Sequence, residues 1–185
     1  MIEDWRKQWR IGDFPFLYVQ IANYKSSPLE TWAPIREAQR KTLALRNTGM
    51  AVTIDIGNPD DVHPTDKLTV GRRLALVARA VAYGETVEFS GPMFRQATTE
   101  ESSLRLWFEH GEGLQAKGGT LTGFEVAGSD GVFAAADATI AGNTVVLSSP
   151  HVSRPQTARY CWSNSPDCLL YNGSGLPASP FKTAE

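Results

Sequence analysis

The sequence has little that would commit it to nucleic acid, a membrane or a zinc site. Its 185 residues carry 18 Lys and Arg against 20 Asp and Glu, a net charge of −2. With a pI near 5.9 there is no basic surface to follow a phosphate backbone, so no nucleic-acid partner is expected. No unbroken apolar run approaches the roughly 20 residues of a membrane-spanning helix, so no membrane span is expected. The opening MIEDWRKQWR lacks the basic and apolar regions of a signal peptide, which leaves the compartment open. There is no internal repeat and no low-complexity segment. The two cysteines, Cys161 and Cys168, are too few for a four-ligand zinc site. Two buried free thiols are the expectation there, with a disulfide closing the small loop as the alternative. Asn172-Gly173-Ser174 fits the glycosylation sequon, a pattern frequent by chance.

What is present is globular in composition, 42% apolar and 21% charged, and falls into two textures. Up to Gly84 helix and strand alternate. Ile2, Trp5 and Trp9 recur at helical spacing. FPFLYVQIA, residues 14–22, is an apolar run without helical period and reads as a strand covered on both faces, as parallel strands are. TWAPIREAQRKTLAL, residues 31–45, reads as a helix with Pro34 tolerated in its first turn. MAVTID, residues 50–55, is a second buried strand. Thr65 or Asp66 then caps a helix that runs through Tyr83 and is stopped by Gly84. The order helix, strand, helix, strand, helix predicts an α/β unit with a parallel sheet over residues 1–86.

From Val87 the pattern changes to short strands separated by turn residues: LRLWFEH (104–110), LTGFEVAG (121–128), TVVLSS (144–149) and TARYCWS (157–163). This spacing predicts an antiparallel β-sandwich over 87–185, with a hinge at Ser90-Gly91-Pro92. Two parallel strands are too few to close an α/β layer, since open sheets carry about four to six. The expectation is therefore an α/β domain whose first half lies upstream, leaving an unpaired strand edge and a tendency to self-associate.

GNPDDVHPTDK, residues 57–67, sits where open α/β sheets collect functional groups, in the loop after the carboxyl end of a strand. In Asp60-Asp61-Val62-His63 a carboxylate precedes an imidazole by three residues. In a tight turn it could accept from Nδ1–H and leave Nε2 as a base. On the residues alone, a solvated loop whose aspartates cap turns serves as well. A divalent metal held by Asp55, Asp60, Asp61 and His63 is a further option, weakened by the lack of a second ligand cluster.

Several long segments in order carry a resemblance: MIEDWRKQW, GDFPFLYVQIANY, WAPIREAQRKTLAL, NTGMAVTIDIGNPDDVHPTDKLTVGRRLALVARAVAYG and YCWSNSPDCLLYNGSGLPASPFKT. Together they resemble the C-terminal half of bacterial sialate O-acetylesterases, carbohydrate esterases of the SGNH (GDSL-like) hydrolase class. The resemblance runs essentially from Met1 to Glu185. It implies the C-terminal part of a flavodoxin-like α/β domain with a β-domain attached. It also implies removal of acetyl groups from sugar hydroxyls by a Ser-His-Asp triad that needs no metal or other cofactor. His63 matches the family's catalytic histidine and Asp60 its acid, with Asp61 the neighbour that could take that role. The family's serine, in a block like G-Q-S-N, and its oxyanion-hole Gly and Asn have no counterpart here, nor does the chain contain G-x-S-x-G. The expected partners are thus an O-acetylated sugar and an N-terminal half of the esterase domain. The compartment would be secreted or periplasmic if the full-length parent carries a signal peptide.

Other candidates are Gln20 and Asn23, which could line the sugar pocket or serve as buried amides. Arg36 and Gln39 read as packing or surface residues. Trp107, Tyr160 and Trp162 could form a sugar-stacking face or belong to the core. The stacking face would suit the rival function, a non-catalytic carbohydrate-binding module.

Overall fold

The first turn of the chain is set by Ile2 and Arg6, which are buried on one side of helix α1 (Ile2–Trp9). The two tryptophans on that helix are not core residues: Trp5 is 41% and Trp9 60% exposed. They stack on each other, and Trp9 packs on Phe14 at 5.0 Å. These contacts belong to a computed structural model that describes residues 1–27 and 31–183.

Strand β1 (Phe16–Val19) pairs in parallel with β2 (Thr48–Ala51), Phe16 opposite Thr48 and Val19 opposite Ala51. Between them lie α2 (Ala33–Lys41), with Pro34 in its first turn, and a 3-10 turn at Thr42–Ala44. After β2 comes α3 (Lys67–Val81), whose N-cap is Asp66; its carboxylate accepts from the Thr69 N–H at 3.0 Å. Gly84, at φ 69, lies just past the helix end, in a left-handed conformation that glycine adopts without strain. The alternation read from the sequence is therefore present.

The expectation that β1 is covered on both faces is not met. All four of its residues are half-buried, and among the described residues β2 is the only strand paired with it. Near its carboxyl end the outer edge is closed by a side chain: Gln39 accepts from the Ile21 N–H at 3.0 Å and donates to Val19 O at 3.2 Å. A neighbouring strand would satisfy the same groups.

The rest of the chain is antiparallel. β3 (Met93–Glu100), β4 (Ser103–Glu109), β8 (Asp137–Ala141) and β9 (Thr144–Ser148) form one sheet in the order β3-β4-β9-β8. β6 (Phe124–Ala127), β7 (Ala134–Ala135), β10 (Thr157–Tyr160) and β12 (Phe181–Lys182) form another, ordered β12-β10-β6-β7. β5 (Gln115–Ala116) pairs with β11 (Leu170–Tyr171). Leu104, Leu106, Val145 and Leu147 from the first sheet meet Phe124, Val126, Tyr160 and Phe181 from the second in one core cluster. Met50, Val52 and Ile54 from β2 and the residues after it join that cluster, so the core runs unbroken between the two textures.

The junction expected to be a hinge is packed. Ser90, Gly91 and Pro92 are buried, and Asn172, with no exposed surface, donates to Ser90 O at 2.9 Å and His110 O at 3.0 Å. That burial also removes the sequon from a glycosylating enzyme's reach in the folded chain. A Cβ at position 91 would overlap the Pro177 carbonyl and lie 2.8 Å from Leu176 O. Gly91→Ala is expected to lower stability by about 1–3 kcal/mol, the usual range for overpacking, read as a lower urea midpoint at unchanged slope. The β1 edge before Val19, beside exposed Trp5, Trp9 and Ile11, should make the chain associate as its concentration rises. Sedimentation velocity across a concentration series checks this; a single monomeric species throughout would contradict it.

Candidate active site

Parallel strands deliver their loops to one end of the sheet, and here those loops are fixed by two buried arginines. Arg36, on α2, has no exposed surface. Its guanidinium donates to Ile21 O at 3.0 Å and Ala22 O at 2.8 Å, just after β1. It also donates to Ser163 O and Asn164 O, each at 2.7 Å. Burial lowers its pKa from 12.5 to about 10, which leaves it charged at neutral pH. Arg73, on α3, grips Asp55 with both terminal nitrogens, at 2.5 and 2.7 Å, and donates to Val52 O at 2.9 Å. Tyr171 donates to the same carboxylate at 3.0 Å. Burial and the Asp55 charge push the Tyr171 phenol far above its ordinary range, so it remains a donor.

The loop between Asp55 and α3 carries His63. Its ring is 81% exposed, with Nδ1 3.1 Å from Asp61 Oδ1. The same oxygen accepts the His63 backbone N–H at 2.9 Å. This is a turn in which an aspartate closes on the amide two residues ahead. A carboxylate accepting from Nδ1–H fixes the tautomer and leaves Nε2 as the basic nitrogen. Asp60 is placed differently: its backbone N–H goes to Asn58 Oδ1 at 3.0 Å. The structure thus brings His63 together with Asp61, and no hydrogen bond joins His63 to Asp60 among the described residues. The two N–H groups of His63 hold the Asp61 carboxyl below its ordinary 3.8, the backbone one foremost.

The remaining candidates separate. Gln20 is fully buried; its amide donates to Ser179 Oγ at 2.8 Å and Arg36 O at 3.2 Å, so it ties β1 to the C-terminal stretch and does not face solvent. Asn23 lines a cleft of about 500 Å3 with Asp55, Lys117, Thr122, Asp167 and Tyr171. Its side-chain oxygen is buried with no partner among the described residues. Asp55 is taken up by Arg73 and Tyr171, and no three His, Cys, Asp or Glu side chains converge among the described residues. The four-residue metal set is therefore not assembled. Tyr160 has no exposed surface and lies in the core, whereas Trp107 is 41% exposed on β4, so the aromatics do not share a stacking face. Cys161 and Cys168 are joined in a disulfide, their Cα atoms 6.0 Å apart. This corrects the free-thiol expectation. The chain turns back between them, with Cys161 in a left-handed conformation and its N–H on Gly123 O.

Of the two alternatives for Arg36, packing and surface, the structure shows packing; what the sequence did not mark is its set of carbonyl acceptors and the part played by Asn164. A cation inside an otherwise amphipathic helix was the available signal for Arg36. Nothing local marked its four acceptors, two of which are 127 and 128 residues away.

Arg36→Met leaves these buried carbonyls without a donor and is expected to cost about 3 kcal/mol or more, at ~1–3 kcal/mol per orphaned group offset by relief of burying the charge. Arg36→Lys should not restore the loss, since one ammonium cannot reproduce the fork of donors. Urea denaturation checks both. For Asp61, carboxyl NMR should give a midpoint below 3.8. Its contact with His63 is fully present at neutral pH and is lost as pH falls through that depressed midpoint. His63→Ala should raise the midpoint only partway, because the backbone N–H remains.

No protein-family model matches the chain. Curated proteins do. The sialate O-acetylesterase of Mus musculus is 31% identical over an alignment of 211 positions, covering 98% of this chain and 39% of that protein. That of Homo sapiens is 30% identical over 213 positions, with 98% and 40% covered. Among solved structures, a carbohydrate acetylesterase from Xanthomonas citri superposes with a TM-score of 0.94 at 47% identity, across all of this chain and 44% of that one. The chain is a homologue of the sialate O-acetylesterases, spanning about two fifths of the length of the curated relatives it matches.

Proposed function

We propose that this chain is the base-bearing part of an SGNH-type carbohydrate esterase that removes O-acetyl groups from sialic acid or a related sugar. The observation that carries the proposal is the exposed His63 imidazole, held at Nδ1 by Asp61 in the loop after β2, within a chain matched almost end to end by sialate O-acetylesterases. In this reading residues 1–86 are the C-terminal part of a flavodoxin-like α/β domain. The two four-stranded sheets are a β-sandwich domain over 87–185. The serine comes from a segment outside this chain.

His63 Nε2 takes the proton of that serine as its oxygen attacks the acetyl carbonyl. As the bond from the acyl carbon to the sugar oxygen breaks, the imidazolium gives the proton to that oxygen, which leaves as a hydroxyl. In the second half His63 activates water, acetate leaves, and the serine is restored. The orienting carboxylate stays ionised and stabilises the imidazolium. We assign that role to Asp60, three residues before His63 as in the resembling motif; Asp61, which touches Nδ1 in this structure, is the competing candidate. Asn23 is proposed to face the sugar, with Gln20 acting from beneath through its hold on Arg36 and Ser179. The disulfide suits an oxidising compartment.

The chain alone should hydrolyse O-acetylated sialic acid at barely above background, since loss of even one oxyanion donor costs ~100- to 1000-fold. Joined to, or mixed with, the preceding segment of a parent esterase, it should become active, and His63→Ala should abolish that activity. In the reconstituted enzyme Asp60→Asn should lower turnover by on the order of 10⁴, and Asp61→Asn far less. The reverse pattern would move the acid to Asp61. Efficient turnover by the chain alone would place a nucleophile within it and overturn the division of labour.

A further inference from the structure

The loop closed by the Cys161–Cys168 disulfide lies outside the His63 loop, yet a continuous set of hydrogen bonds joins them. Within the closed loop, Asn164 O accepts from Tyr24 N–H at 3.2 Å as well as from Arg36. Asn164 Oδ1 accepts from Trp32 N–H at 2.9 Å, and its Nδ2 donates to Ser26 Oγ at 2.9 Å. Backbone and side chain of one residue thus hold three positions of the segment between β1 and α2. That segment passes the restraint on: Lys25 N–H donates to Pro59 O at 2.8 Å. Beside this bond, a Cβ at Gly57 would overlap the backbone and amide of Asn23, so the two segments are in direct contact there too. From Pro59 the path is local. Asp61 N–H reaches Asn58 O at 3.3 Å, and Asp61 holds His63.

We propose that the disulfide-closed loop, acting through Asn164, is a positioning element for His63. This rests on the reading of His63 as the base but concerns a residue a hundred positions away. The physical argument is that the His63 loop has few restraints of its own. His63 and Asp61 are exposed, with side chains 81% and 54% accessible, and among the described residues the hydrogen bonds of positions 58–63 are with each other, apart from Lys25. A loop held by one outside backbone bond takes its order from whatever fixes the donor. Lys25 is exposed, so its place is set by Tyr24 and Ser26 on either side, both bonded to Asn164. Asn164 in turn is fixed by the disulfide and by the buried Arg36.

Amide hydrogen exchange by NMR on the chain itself tests this without any esterase assay. In the Cys161→Ser/Cys168→Ser double variant, exchange at Tyr24 and Lys25 should accelerate by about tenfold or more, as for a locally opened segment. The amide resonances of Asp61 and His63 should shift with it, while protection across β4 and β9 stays unchanged. Asn164→Ala should do the same to a smaller degree, and Asn164→Asp, which keeps the acceptor for Trp32, less again. If the double variant does not fold, the Asn164 pair decides alone. Unchanged Lys25 exchange and unchanged Asp61 and His63 resonances in Asn164→Ala, alongside loosening confined to 162–167, would overturn the proposal. In the reconstituted esterase Asn164→Ala should lower kcat about tenfold with KM nearly constant, as expected of misplaced chemistry rather than lost binding. An inactive reconstituted wild type would count against the esterase reading, whereas an Asn164→Ala variant as active as wild type would count against this one.

Discussion

Arg36 holds the two ends of the molecule together with a single planar group. A guanidinium buried with no carboxylate bonded to it among the described residues is an expensive thing to place, and it persists only where its donors are met by acceptors fixed in the same fork geometry. Here those acceptors are backbone carbonyls, two just after β1 and two inside the disulfide-closed loop. Because the carbonyls come from segments far apart in the chain, the contact exists only when the α/β elements and the C-terminal stretch are both in place. The remaining junctions depend on that meeting.

The same logic recurs at smaller scale. Gln20 bonds to Ser179, Tyr171 to Asp55, and Asn172 to the carbonyls of Ser90 and His110. In each case a group in the last quarter of the chain satisfies a group in the first two thirds. Apolar contact accompanies these bonds, since Met50, Val52 and Ile54 share a cluster with the inner residues of the antiparallel sheets. Within the last quarter itself, the wholly buried Tyr160 hydroxyl accepts the Leu170 N–H at 3.0 Å. Residues 161–183 therefore act as a strap across the α/β part, and a change at either end of the strap is felt by the loops that the strap holds.

For the candidate site the consequence is a division between rigid support and exposed chemistry. Asp55 is locked by Arg73 and Tyr171, while His63, eight residues later, stands at the surface. That exposure leaves the His63 ring open to approach without displacing structure, as the proposed completion of the site by another segment requires. The cleft lined by Asn23, Lys117 and Tyr171 is built from both parts of the chain.

The sequence by itself determined the order of the α/β elements and located four of the antiparallel strands, β4, β6, β9 and β10. Helical spacing of apolar residues placed α1, continuous apolar runs placed β1 and β2, Pro34 fitted the first turn of α2, Thr65 or Asp66 and Gly84 bracketed α3, and Gly- and Asn-containing turns spaced the antiparallel strands. It also singled out His63 and its two candidate carboxylates, since they lie within one short loop. These features are local, set by backbone preference and by patterns a few residues long. Tertiary structure alone decided the rest: that Asp61 is the carboxylate on His63, that Cys161 meets Cys168, that Trp5 and Trp9 lie outside and Arg36 inside, and that Ser90-Gly91-Pro92 is a packed junction. Each of these depends on which distant backbone group or side chain comes to satisfy a polar group or fill a face. Residue type fixes what a side chain can bond, and only the folded chain fixes what is there to be bonded.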